Sequence, residues 1–168
     1  MWWFSRNILY SVSLLIGLAL AGCTLEPLYK SGSETADFLQ NIELDAPKDR
    51  DSYVLYNRLA ERLDGGHGTR YLLSITPRKS EARAGIAADG RAQRKIVTGF
   101  ADYSIVQIAD GKEVQSGSVK AFTGYAQSAS NVAILAASND AYDRLMIQLA
   151  DKILDALILI QAQVQAQP

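Results

Sequence analysis

The sequence predicts an α+β domain built in two layers, with two helices packed on a mainly antiparallel four-stranded sheet in the order β-α-β-β-β-α. Three observations carry this expectation. Leu55, Tyr56, Leu59 and Leu63 recur at helical spacing after an acidic start, the mark of an amphipathic helix. A second stripe, Tyr142, Leu145, Met146, Leu149, Ile153, Leu157 and Ile160, has the same period near the C-terminus. Between them, Val97, Gly99, Ala101, Tyr103 and Ile105 alternate with Thr98, Asp102 and Ser104, the period-two pattern of a strand with one wet face.

Taken in order, Phe38–Leu44 places Phe38, Ile42 and Leu44 on one parity and reads as the first strand, ended by Asp45-Ala46-Pro47. Asp49-Arg50-Asp51 supplies capping oxygens and negative charge to the first helix, and Gly65-Gly66 supplies its stop. Tyr71, Leu73 and Ile75 alternate as a second strand, with Pro77 expected to block further central pairing. Residues 78–90 are polar, carry Gly85 and Asp89-Gly90, and read as a loop. A long strand follows from Arg91 to Ile108, with Phe100 the apolar exception on its polar side. Asp110-Gly111 is a hairpin signal. The return strand, Glu113–Tyr125, changes parity between Val114 and Val119, and Gly117 between them is where a β-bulge is expected. Residues 126–137 are small and polar, and the last helix is clear only from Asn139.

The N-terminus carries a different signal. One basic residue, Arg6, precedes an apolar run from Ile8 to Ala21, too short to span a bilayer, which ends in Leu20-Ala21-Gly22-Cys23. An aliphatic residue, two small residues and a cysteine form a lipobox. Small residues let the signal peptidase grip an extended backbone, and the cysteine sulfur accepts the lipid. The reading is therefore a signal peptide over residues 1–22, a lipidated tether over 23–37 and a single domain over 38–168, with Cys23 as the attachment site. Removing residues 1–22 from the 168 leaves 146, enough for one core. Arg6 leaves with them, so 16 of the 17 basic residues face 18 acidic ones, a net charge of −2 that argues against a nucleic-acid-coating protein. Cys23 is the sole cysteine, so no disulfide is expected, and Thr24 after it, where aspartate would favour the inner membrane, points to the outer membrane.

Catalysis finds little support. The one histidine, His67, stands between Gly66 and Gly68 in a turn, with no cysteine, histidine and carboxylate set at ligand spacing. Ser116 and Ser118 lack the glycines of a nucleophile elbow. No enzyme activity, metal or cofactor is expected. Charge is more informative. Residues 78–95 hold Arg78, Lys79, Arg83, Arg91, Arg94 and Lys95 against Glu81 and Asp89, a local +4. Two readings stay open: a site for phosphates, anionic headgroups or an acidic partner, or cations guarding strand edges at a solvated hairpin tip.

With these elements placed, the chain resembles the lipopolysaccharide-assembly lipoproteins of the LptE family in their alphaproteobacterial form. The resemblance rests on Leu20-Ala21-Gly22-Cys23 followed by Pro27-Leu28-Tyr29, on Thr98-Gly99-Phe100-Ala101-Asp102-Tyr103 with Gly111-Lys112 and Ser116-Gly117, and on Arg144-Leu145-Met146 with Leu149-Ala150-Asp151. Thr24-Leu25 departs from the glycine and aromatic residue expected after the cysteine. The resemblance implies an outer-membrane lipoprotein facing the periplasm, which plugs and helps assemble an LptD-type β-barrel and interacts with lipopolysaccharide. An auxiliary lipoprotein of an ABC-type envelope lipid-transport system is the alternative with the same tether and build.

Overall fold

The computed structural model describes residues 34–63, 69–86, 92–127 and 130–165. The lipobox, most of the tether, Gly65-Gly66, His67, Asp89-Gly90 and Arg91 lie outside the described residues. Seven elements follow in order: α1 (Glu34–Gln40), β1 (Ile42–Leu44), α2 (Arg50–Arg62), β2 (Tyr71–Ile86), β3 (Ala92–Gln107), β4 (Glu113–Ala126) and α3 (Asn131–Gln165). The sheet runs β1-β2-β3-β4, with β1 parallel to β2 and the other pairs antiparallel. The expected two-layer α+β build is present, with one additional helix at its start.

That helix corrects the reading of Phe38–Leu44 as a strand. Glu34–Gln40 is helical and only Ile42–Leu44 pairs. Phe38 and Leu39 are adjacent, and a helix can turn both toward the core; both are buried. Asn41 Nδ2 donates to the Asp37 carbonyl at 2.7 Å across the helix end. Glu34–Asp37, which the sequence assigns to the tether, therefore belong to α1.

Helix α2 starts as its sequence requires. Asp49 is extended and its carboxylate accepts the Ser52 amide at 2.8 Å, while the Ser52 hydroxyl accepts the Asp49 amide at 2.9 Å, a reciprocal capping box. These bonds, the Ser52 backbone bond first, hold the Asp49 carboxyl below its ordinary value. Leu55, Leu59 and Leu63 are buried. Arg50 pairs with Asp143 at 3.1 Å and Arg58 with Asp151 at 2.9 Å. The same interval separates the two arginines and the two aspartates, so α2 and α3 lie side by side and parallel.

The larger correction concerns Pro77. Strand β2 does not stop there: it pairs with β3 from Tyr71 to Ile86, so residues 78–86 are strand and not loop. The reason is which way the backbone points. The Tyr71 amide donates to Asn41 O and Leu73 O accepts from Asp45, so odd residues of β2 turn their backbone polar groups away from β3. Pairing runs unbroken through Pro77↔Ala101, so the nitrogen of Pro77 faces the outer edge, beyond the end of β1. A residue without an N–H loses no ladder bond in that position.

The bulge also sits elsewhere. Register is continuous through Tyr103↔Gly117 and shifts where Ile105↔Gln115 is followed by Val106↔Glu113, which makes Val114 the extra residue. Gly117 serves packing instead. A Cβ there would lie 2.6 Å from the Tyr103 hydroxyl, so the glycine leaves room for the Tyr103 ring across the strands. Strand β3 ends at Gln107, and a four-residue loop closes on a Gln107 amide to Lys112 carbonyl bond of 2.9 Å, with Gly111 at φ 70°.

The odd-numbered face of the sheet carries the core. Leu73, Val97, Ala101, Tyr103, Ile105, Ala121 and Tyr125 face Leu145, Met146, Leu149, Ile153 and Leu157 of α3, and all are buried. Gly99 sits under the helix: a Cβ there would lie 2.9 Å from Leu145 Cδ2 and 3.0 Å from Leu149 Cδ1, so α3 approaches the sheet as closely as a glycine allows. Helix α3 begins at Asn131, eight residues before the stripe becomes legible, and its first turns leave Val132 and Leu135 exposed. The even-numbered face, with Arg78, Thr98, Phe100, Asp102, Ser118, Lys120 and Phe122, carries no covering element among the described residues.

Candidate binding surface

Strand alternation divides the cations that the sequence places together. Even-numbered Arg78 and Arg94 lie on the open face of the sheet; odd-numbered Lys79, Arg83 and Lys95 lie on the helix-bearing face. Arg78 pairs with Asp102 of β3, two rows along the same face. The Asp102 carboxyl is held below its ordinary value, first by the Ser118 hydroxyl and then by the Arg78 charge. Cys23 and Arg91 fall outside the described residues.

On the other face the cations are taken up by a polar network between the sheet and the helices. Glu81 is its centre. One carboxylate oxygen accepts from Lys95 Nζ at 2.8 Å; the other accepts from the Tyr125 hydroxyl at 3.1 Å and from the Tyr142 hydroxyl. Lys79 pairs with Asp51 of the first turn of α2 and stands 3.9 Å above the Tyr142 ring. Lys95 lies 5.8 Å from the centre of the Tyr125 ring. The bonds from Lys95, then Tyr142, lower the Glu81 carboxyl. The Glu81 bond raises Lys95, and it raises the Tyr142 phenol well above its ordinary range. The network joins β2, β3, β4, α2 and α3 at the margin of the apolar core, to which Tyr125 also belongs.

Arg83 and Arg94 differ from the rest. Both are exposed, and neither forms an ion pair among the described residues. They stand on consecutive rungs of the ladder, Arg83 opposite Lys95 and Arg94 opposite Ala84, one on each face of the hairpin. Among the described residues of the segment, Arg78, Lys79 and Lys95 are thus neutralised by carboxylates, and Arg83 and Arg94 form no ion pair.

Sequence reasoning missed Glu81, Tyr125 and Tyr142 as a unit. Tyr142 falls within the helical stripe and reads as core, and nothing local connects it with Glu81, 61 positions earlier. Phe100 did give a signal as an apolar residue of the wrong parity. It lies on the open face beside Lys120, whose Nζ is 5.3 Å from its ring centre, with Phe122 72% exposed nearby. Among the described residues no three His, Cys, Asp or Glu side chains converge as metal ligands, and no helix is long and apolar enough to cross a membrane.

The fold is that of several bacterial lipoproteins. The chain superposes on a candidate lipoprotein from Caulobacter crescentus CB15 with a TM-score of 0.64 and 24% identity, over 76% of this chain and 96% of that one. Rare lipoprotein B from Shewanella oneidensis gives a TM-score of 0.55 at 16% identity, over 74% and 97% of the two chains. A minor lipoprotein from Acinetobacter baumannii gives 0.50 at 16% identity, over 70% and 88%. No family model matches the sequence, and no curated protein matches it.

Proposed function

We propose that the chain is a lipoprotein of the outer membrane, anchored through acylated Cys23 and facing the periplasm, that serves as a non-catalytic subunit of the lipopolysaccharide translocon. In this reading it occupies and helps assemble an LptD-type β-barrel and interacts with lipopolysaccharide. The observation that carries the reading is a conjunction: a lipobox at Leu20–Cys23 stands ahead of a two-layer domain whose fold recurs in bacterial lipoproteins. The LptE resemblance supplies the partner and the glycolipid.

Within that reading, Arg83 and Arg94 are the cations best suited to glycolipid phosphates, because Arg78, Lys79 and Lys95 already have carboxylate partners. Reversing both to glutamate removes two exposed charge contacts of about 0.5–1 kcal/mol each, so lipopolysaccharide binding should weaken roughly five- to thirtyfold and lose its salt dependence. The fold should be unchanged, since neither side chain is buried. Equal binding by a folded double variant would refute this assignment.

The partner is tested by mild detergent extraction with a tag after Pro168 and identification of what co-purifies. A large outer-membrane β-barrel is the expected result. Recovery of inner-membrane ABC-transporter subunits instead would favour the auxiliary lipid-transport reading and overturn the first. Cys23→Ser should block acylation and leave the signal peptide uncut; normal processing of that variant would remove the anchor from the proposal.

A further inference from the structure

The two faces of the domain are finished differently. On the helix layer three arginines meet carboxylates of that same layer: Arg50 pairs with Asp143, Arg58 with Asp151 and Glu61, and Arg144 with Asp140. Apart from Val132 and Leu135 at the start of α3, its large exposed apolar residues are Tyr53, Ile147 and Leu159. These stand singly on two helices, and scattered exposure of this kind is ordinary.

The even-numbered face of the sheet has a different make-up. Phe122 of β4 lies opposite Thr98 of β3 and diagonal to Ile96 and Phe100, a spacing of roughly 7–8 Å that long side chains bridge. Phe122 is 72% and Ile96 39% exposed, so the three form one apolar cluster on a face that no described element covers. Small residues surround it, Ser80 and Ala82 on β2 and Ser118 and Gly124 on β4. The cluster therefore stands above flat ground that a second surface can reach.

Charge separates this cluster from the hairpin cations. Asp102 is the only carboxylate on the face among the described residues, and Arg78 and Ser118 already engage it. Lys120 forms no ion pair there; its ammonium stands 5.3 Å from the Phe100 ring centre, at the margin of the cluster. Arg94 is six rows along the ladder from the Phe100–Lys120 row, roughly 20 Å. One phosphate cannot bridge that interval, so the cluster and the hairpin cations are separate surfaces.

An apolar, aromatic centre with a rim of hydroxyls and a free cation is the anatomy of a protein–protein interface. We propose that this open face is where a protein partner grips the domain. Phe122 enters an apolar recess of the partner, Phe100 and Ile96 complete the desolvated centre, and Lys120 meets a carboxylate. The rim of the cluster offers a free positive charge and no free negative one, so its complement is acidic. The patch is flat and two strands wide, which suits a sheet, since packed sheets keep their strands nearly aligned and touch along several of them. The inference rests on the proposed function for the identity of that partner, the inner wall of the outer-membrane barrel, and adds which face of the domain bears on it. The helix layer also lies within such a barrel; with scattered apolar residues and internally paired arginines, it lacks a centre of this kind.

Competition for the barrel reads the contact. A tagged full-length chain and an untagged wild-type chain are expressed at equal levels and extracted in mild detergent, and the barrel held through the tag is quantified. Phe122→Ala should cut the tagged chain's share roughly tenfold or more, the scale of losing an aromatic anchor at the centre of an interface. Lys120→Glu should cut it by less, and Tyr53→Ala on α2 should leave it unchanged. Phe122→Thr keeps the β propensity of the strand and should match Phe122→Ala, which separates loss of the ring from any weakening of β4. Purified Phe122→Ala should bind lipopolysaccharide as the wild type does. An undiminished share for both Phe122 variants, or an equal loss with Tyr53→Ala, would overturn the inference and leave the proposed function standing. Loss of lipopolysaccharide binding by Phe122→Ala with barrel capture intact would overturn it by giving the face to the glycolipid. Failure of the wild-type chain to recover any large β-barrel would overturn both.

Discussion

Replacing Gly99 with alanine tests the packing on which the domain depends. An added Cβ would lie 2.9 Å from Leu145 Cδ2, 3.0 Å from Leu145 Cγ and 3.0 Å from Leu149 Cδ1. Neither leucine can swing aside, because both are fully buried and Met146 and Ile153 fill the neighbouring core. The helix must lift or a rotamer must distort, and overpacking of this kind costs about 1–3 kcal/mol. Alanine recovers about 0.4–1 kcal/mol by restricting the unfolded chain, which leaves a net loss of roughly 1–2 kcal/mol. With a urea m-value of roughly 1–3 kcal/mol/M, the midpoint should fall by about 0.5–1 M without a change in slope. The same substitution made in a Leu145→Ala background should cost markedly less, since the truncated side chain removes two of the three close contacts and leaves room for Leu149 to shift, giving a coupling of about 1 kcal/mol. A Gly99→Ala midpoint at or above wild type, or an additive double variant, would show that α3 does not rest on the sheet at this point.

Two further outcomes concern stability. Glu81 is depressed in the folded state below its ordinary value of 4.5, so the stability it contributes is present above that value and is lost as pH falls through the folded pKa. Urea midpoints measured from pH 6 downward should therefore decline more steeply for wild type than for Glu81→Gln below about pH 4.5, and identical slopes would mean the network does not hold the charge. Conversely Lys95 is raised above 10.5, so its contribution is complete below that value and fades only at higher pH. Leu149→Asp places a carboxylate at a position with 0% exposure; the cost of several kcal/mol compares with a whole-domain stability of about 5–15 kcal/mol, and the variant should lose its cooperative melt. A wild-type transition would mean that the Leu149 face is not buried.

The period of the chain determined its faces. Leu145, Leu149 and Ile153 at helical spacing, and Val97, Ala101, Tyr103 and Ile105 at spacing two, are the residues the structure buries. The Asp49 cap and the Asp110-Gly111 turn were likewise legible, because capping and turn chemistry act over a few neighbouring residues. What local pattern could not supply was each strand's neighbours. Pro77 reads as a terminator until one knows that β1 is three residues long and leaves that edge empty. Phe38 fits either period, and its burial beside Leu39 against the rest of the fold decides for helix. The six cations look like one patch along the chain, but pleating sends consecutive side chains to opposite faces, and two of the carboxylates that neutralise them, Asp51 and Asp102, lie outside the segment. Sequence determined which side of each element is apolar. Tertiary structure decided which charges remain free and which edge stays open, because both depend on partners that are distant in the chain and adjacent in space.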